Sequence, residues 1–317
     1  MKQLPLLLGV CALLLAVTPP AHADGILVGN AGLLDASHYA VIYDGSGGHQ
    51  LSVTNDTISG NIGITGTASF QFNGPGTING NLNFSAANTG QFHNTNGSNV
   101  GPTSVNYSQS SVSLDLPALY SLSNTAAAAS GTNISFNNAN QVVNASSGTL
   151  TTINGVATEV FNVTSYSENN ADTVSIVGNG DNVVFNLLFN SNVNLGGQVK
   201  LSGGLTADDV LWNFASSQKE NINLNNNGGT FYGIFLLPKD TYSSDSSNLD
   251  GRIFGGPGGD MQIVSGANVD APVAVTPEPS SLFLVGTGMI GMGVFLSLGL
   301  RRRWKGVVET DSYSTFE

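Results

Sequence analysis

Basic residues are scarce in this chain: nine Lys and Arg stand against 21 Asp and Glu in 317 residues. Between residues 24 and 276 only Lys200, Lys219, Lys239 and Arg252 are basic, against 17 acidic residues, a net charge of −13. A surface of that sign has nothing with which to neutralise phosphates, which excludes nucleic acid and disfavours an anionic membrane face. Charged residues of both signs make up only 9% of the chain, too few for a polymer kept disordered by its own charge. There is one cysteine, Cys11, close to the N-terminus. The rest of the chain therefore has no disulfide, no thiolate metal ligand and no cysteine nucleophile. Histidine is nearly as rare: beyond residue 23 there are His38, His49 and His93, each isolated and without the paired spacing of a zinc site. Serines abound, but none stands in a nucleophile-elbow pattern.

Long apolar runs occur only at the two extremities. At the N-terminus Lys2 is followed by an apolar stretch over residues 4–17, the break Pro19-Pro20, and small residues at Ala21 and Ala23. That is the order of a secretory signal with cleavage by signal peptidase after Ala23. Cys11 follows Val10, where a lipoprotein signal needs a small residue, so no lipid is expected. At the other end residues 280–300 carry no charge and are long enough, at about 1.5 Å rise per residue, for one membrane crossing. Arg301, Arg302, Arg303 and Lys305, with Trp304 among them, follow at once and place that end in the cytoplasm. The intervening body is then expected on the outer side.

Immediately before the span stand Pro277, Glu278 and Pro279. Triad, apolar span and basic cluster together resemble the PEP-CTERM sorting signal of Gram-negative bacteria. The resemblance implies processing near the triad by a membrane-embedded exosortase. Residues 306–317 extend beyond the point where that family usually stops. The expected partition is a signal peptide over 1–23, a β-domain over 24–270, a tether over 271–279, a transmembrane sorting helix over 280–300, and a basic cluster with cytoplasmic tail over 301–317.

Asn, Gly, Ser and Thr dominate the body, with Val, Ile, Leu and Phe alternating among them at the strand period. An internal repeat is the most telling feature. Ile58-Ser59-Gly60-Asn61-Ile62-Gly63-Ile64 recurs twenty residues later as Ile78-Asn79-Gly80-Asn81-Leu82-Asn83-Phe84. Near the end of the body, Gly233 in Phe231-Tyr232-Gly233-Ile234-Phe235 aligns with Gly251 in Asp250-Gly251-Arg252-Ile253-Phe254, 18 residues on. Repeats of this length, with short strands and glycine corners, suit the coils of a β-solenoid (parallel β-helix-like), whose stacked turns share one core. An antiparallel sandwich is the alternative. Further strands are expected at 134–136, 142–143, 160–163, 174–177, 183–188, 193–195 and 199–201. One α-helix is expected to flank the solenoid, capped by Asp115, with Pro117 in its first turn and an end near Gly131.

Val210-Leu211-Trp212-Asn213-Phe214, Ile222-Asn223-Leu224 and Gly233-Ile234-Phe235-Leu236-Leu237-Pro238, with the two early Gly-Asn repeats, resemble the choice-of-anchor A family of exported bacterial proteins. The resemblance spans most of residues 25–270. It implies a surface or matrix β-domain and brings no catalytic residues.

Carboxylates are the remaining candidates for chemistry. Asp240, Asp245 and Asp250 flank an oxygen-rich loop that could hold calcium, although the EF-hand spacing is missing. Asp208 and Asp209 precede a strand and read as turn or cap formers. A polysaccharide lyase on a β-helix would need such acids beside one of the four basic residues. Flat faces bearing ranks of Thr can order water into ice, but Thr65 and Thr67 have no matching rank in the repeats. The reading favoured is a non-enzymatic exported protein, adhesive or structural in exopolysaccharide or biofilm, without a required cofactor. The rival is a carbohydrate-active enzyme.

Overall fold

The computed structural model describes residues 36–271, apart from Asn96, Ser98 and Asn138. Ala21, Ala23, the Pro277-Glu278-Pro279 triad, the 280–300 span and the Arg301, Arg302, Arg303, Lys305 cluster lie outside the described residues. Two units are distinguished, Met1–Val273 and Ala274–Glu317, and only the first contains described residues. Among the described residues no helix is long and apolar enough to cross a membrane.

The body is mainly β, wound into a three-sided solenoid whose stacked strands are almost all parallel, with one α-helix alongside. Its first side is a ladder of ten strands. From one end to the other these are Thr132–Phe136, Val156–Tyr166, Asn182–Leu187, Val210–Phe214, Thr230–Leu237, Asn248–Gly255, Tyr39–Tyr43, Asn61–Ile64, Leu82–Ser85 and Val105–Gln109. The antiparallel exception is Thr149–Ile153, which turns back on Val156 through Asn154 and Gly155, both with positive φ.

Chain order and spatial order differ. The first strand, Tyr39–Tyr43, sits in the middle, pairing Val41 with Ile253 on one flank and with Ile62 on the other. The early coils climb from there to one end. Helix α1 (Ser110–Ala128) then carries the chain back, and the later coils start from Thr132 at the far end and advance until they meet the first. Nineteen helical residues reach about 28 Å at 1.5 Å each, and the extended residues 129–131 add roughly 10 Å. Together these nearly match the nine strand spacings, about 43 Å at 4.8 Å each, between the ladder's two ends.

Both repeats seen in the sequence are stacked rungs. Ile58 pairs with Ile78, Ile62 with Leu82, and Gly233 with Gly251. Gly233 and Gly251 have φ of 131° and 154°, and a Cβ at Gly251 would stand 1.9 Å from the Gly233 carbonyl oxygen. Only glycine turns this corner without collision. Gly60 and Gly80 turn the same corner in the early coils, and the asparagine that follows each braces it: the Asn81 backbone N–H donates to Asn61 Oδ1 at 2.9 Å. Inside the coils, side chains of one register position stack. Phe161, Phe185 and Trp212 form an aromatic column, with ring centroids 5.3 and 4.5 Å apart.

Helix α1 lies against the outer surface of the first side, as the flanking-helix expectation requires. Val112, Leu116, Leu119, Leu122 and Ala126 form its buried stripe over Tyr39, Ile42, Leu211, Ile234 and Phe254. Its start is corrected. The helix begins at Ser110, so Asp115 is a buried residue within it rather than its cap, and Pro117 lies inside rather than in the first turn. Pro117 is exposed, so the Ser113 carbonyl it leaves without an N–H donor lies on the solvent side.

Candidate functional site

Of the three sides, the first is covered by α1. The third is split between the three-stranded sheet Val142–Asn144, Thr173–Val177, Gln198–Ser202 and a ladder in which the opening halves of Thr230–Leu237 and Asn248–Gly255 are continued by Asn268–Asp270, Thr57–Ser59 and Thr77–Asn79. The second is one uninterrupted sheet of seven parallel strands: Val193–Leu195, Asn221–Leu224, Thr241–Asp245, Met261–Val264, Gln50–Thr54, Ser69–Asn73 and Phe92–Asn94. Alternation sends Leu51, Val53, Phe70, Phe72, Ile222, Leu224, Met261 and Ile263 inward, all buried.

The outward residues fall into rows. In register, the central row is Asn194, Asn223, Ser243, Gln262, Ser52, Gln71 and His93. Seven rungs span six spacings, about 29 Å. Asn221 with Thr241 and Gln50 with Ser69 form part of one flanking row; Asp245, Val264, Thr54 and Asn73 form the other. The central row contains no carboxylate and no lysine or arginine. It offers amides, hydroxyls and one imidazole, half-buried or exposed.

Several groups on and beside these rows are bonded to a neighbour on the next rung. Asn223 Nδ2 donates to Asn194 Oδ1 at 3.0 Å, Asn221 Nδ2 to Asn192 Oδ1 at 3.2 Å, and Thr241 Oγ1 to Asn221 Oδ1 at 2.6 Å. Thr95 Oγ1 donates to Asn73 Oδ1 at 2.6 Å. Side chains held this way lose less freedom on binding a partner. At one end the face opens into a cavity of about 420 Å³ lined by Asn194, Asn223, Ser243 and Asp245.

The carboxylates singled out in the sequence do not converge. Asp240 and Asp245 stand at opposite ends of the strand Thr241–Asp245, and Asp250 belongs to the third side. Among the described residues no group of three or more His, Cys, Asp or Glu could hold a metal ion. Asp240 is buried, accepts the Glu220 N–H at 2.8 Å, and is pushed up to about 7 by burial. Asp209 does act as a turn former, accepting the Thr206 N–H at 2.7 Å. Asp208 instead pairs with Arg252, whose Nε lies 2.8 Å from Oδ1 and whose guanidinium is 1% exposed, so Arg252 cannot serve a substrate. His49 approaches Asp260 at 3.6 Å, while His93 lies on the second side. Thr65 is buried at a corner, bonded toward Tyr43 and Asp44, rather than set in a flat rank. Sequence reasoning missed the second side as a unit. The period-two pattern was visible in each strand, but not the order that lines up seven strands from both halves of the chain.

Among curated proteins none matches the chain. An ice-binding protein from an Arctic yeast has 14% identity and a TM-score of 0.48, covering 79% of this chain and 96% of that one. An ice-binding protein of the Antarctic ascomycete Antarctomyces psychrotrophicus has 12% identity and a TM-score of 0.44, covering 78% and 98%. One from an Antarctic biological consortium has 18% identity and a TM-score of 0.40, covering 75% and 89%. Residues 24–257 match the family model described as "Putative Ice-binding-like adhesive domain". That family is one of adhesive domains and not of enzymes, and the non-enzymatic reading holds on that ground. With well over half of its length matched, the chain belongs to the ice-binding-like adhesive domain family.

Proposed function

We propose that the protein is an exported adhesin of the cell surface or extracellular matrix that grips polysaccharide through the second side of its solenoid. The observation carrying this is the central row, Asn194 to His93, seven rungs long and free of Asp, Glu, Lys and Arg, with Asn223 bonded to Asn194 at one end. Amides and hydroxyls that both donate and accept, about 4.8 Å apart, suit a polyhydroxylated chain lying across the rungs. The side chains in the row differ in length, which suits a flexible glycan better than the regular lattice of ice. The delivery route belongs to the same proposal: signal peptidase after Ala23, then exosortase near Pro277, Glu278 and Pro279, with residues 280–300 as the membrane-sorting segment. So does the closer assignment to the choice-of-anchor A group.

The test is to place like charges on adjacent rungs with the double variant Ser243→Glu/Gln262→Glu. Retention on exopolysaccharide purified from the producing cells should fall at least about tenfold while the circular dichroism spectrum stays unchanged, tenfold being about 1.4 kcal/mol. Undiminished retention by the folded variant would remove the second side from the mechanism. The unmodified protein should show no thermal hysteresis in ice-growth measurements.

A further inference from the structure

A cavity of about 650 Å³ opens on the third side, away from the ladder of amides. Its floor is a row of successive rungs. Tyr232 pairs with Asp250 and Asp250 with Asp270, and all three point outward because Phe231, Leu249 and Val269 fill the core. Leu201 and Leu205 add an aliphatic surface, and Lys200 also lines the opening.

The cavity is held in shape by its surroundings. The segment that carries Leu205 leads into the turn Ala207–Asp209, which is fixed from both ends. Asp209 accepts from the Thr206 N–H, and Asp208 binds the buried Arg252 guanidinium, which also donates to the Tyr39 carbonyl at 2.9 Å. Such a wall is present before any ligand arrives.

Within this frame the charges are unspent. The side chains of Asp250, Asp270 and Lys200 make no hydrogen bond or ion pair among the described residues. Two carboxylates on neighbouring rungs repel one another. Burial first, then Asp270 and Asp208, raise the Asp250 carboxyl above its ordinary range. A hydroxyl would satisfy their lone pairs but leave the repulsion; a cationic donor removes it. The Tyr232 ring and the two leucines offer an apolar surface of the kind that receives the carbon face of a sugar ring.

We propose that this cleft binds an amine-bearing saccharide unit, its ammonium seated between Asp250 and Asp270 and its ring lying on Tyr232, Leu201 and Leu205. Lys200 donates to a neutral ring hydroxyl. The proposal shares with the adhesive reading only the idea of a glycan partner, and it uses a different side of the solenoid.

Calorimetric titration of the full chain with a β-1,4-linked glucosamine tetrasaccharide, and with its fully N-acetylated counterpart, tests the assignment. The glucosamine form should bind at least about tenfold more tightly than the acetylated one. Asp250→Asn and Asp270→Asn, which keep the side-chain shape, should each weaken it about tenfold or more, and Tyr232→Leu should weaken both ligands. The Ser243→Glu/Gln262→Glu variant should bind the tetrasaccharide normally, which separates failure here from failure of the adhesive face. The assignment is overturned if the glucosamine tetrasaccharide does not bind, if the acetylated form binds as well, or if folded Asp250→Asn and Asp270→Asn proteins bind unchanged. Should either Asn variant lose its fold, undiminished binding by Tyr232→Leu overturns it equally.

Discussion

Asp208 and Asp209 are neighbours in the chain with separate tasks. Asp209 closes a turn, and Asp208 balances the guanidinium of Arg252, buried between the later coils and the start of the first. Removing that carboxylate leaves two charge-assisted hydrogen bonds of a buried guanidinium unmade. Asp208→Ala should therefore lower unfolding stability by about 2–4 kcal/mol in urea titration, while Asp208→Ala/Arg252→Met should lose clearly less. The sequence shows both acids and reads them as turn formers, which fits Asp209 alone. The partner of Asp208 lies 44 residues away and becomes a neighbour only after two further coils are wound. Gly233 and Gly251 are easier to read, because a repeat of 18 residues places both at one corner and the corner demands glycine.

Helix α1 stays docked through a polar seam as well as its apolar stripe. Asparagines of the first side donate to backbone carbonyls in the last two turns of the helix. Asn186 Nδ2 donates to the Ala126 carbonyl at 2.8 Å, and Asn213 Nδ2 to the Ser123 carbonyl at 3.0 Å. The Ser123 hydroxyl donates back to Asn213 Oδ1 at 2.6 Å, and Asn213 also donates to Asn186. Removing Asn213 strands several buried groups at once, so Asn213→Ala should cost about 2–4 kcal/mol and speed proteolysis within 110–128. At the other end of the helix, a Cβ on Gly63 would meet Val112 at 2.9 Å; Gly63→Val should loosen the same segment. The helix and its side-on docking were legible in the sequence; its first turn was not. Pro117 signals a start, yet Val112, five residues earlier, already has a groove to fill over Tyr39 and Gly63. Tertiary burial overrode the local signal.

Two buried carboxyls give the assembled solenoid an unusual response to acid. Asp56 is pushed up to about 6 and Asp240 to about 7, in both cases chiefly by burial. A carboxyl whose pKa is raised by folding binds its proton more tightly in the native chain. Stability from these groups is therefore fully present below the ordinary carboxylate range and lost as pH rises through about 6 and then about 7. Relief of the chain's net charge of −12 acts in the same direction. Thermal melting should shift upward on going from pH 7.5 to about 4.5, and Asp56→Asn/Asp240→Asn should flatten much of that slope. The solenoid class was readable from stacked repeats, because each coil is a local sentence. Coil order was not, since nothing near Tyr39 announces that its second neighbour is Asn248–Gly255. That arrangement sets this chain apart from solenoids that grow turn upon turn. One flank of the opening strand waits for residues more than 200 positions downstream. A ribosome or a translocation channel releasing this polypeptide from its N-terminus emits an incomplete seam for most of the journey, so the native stack can close only once nearly the entire body has emerged on one side.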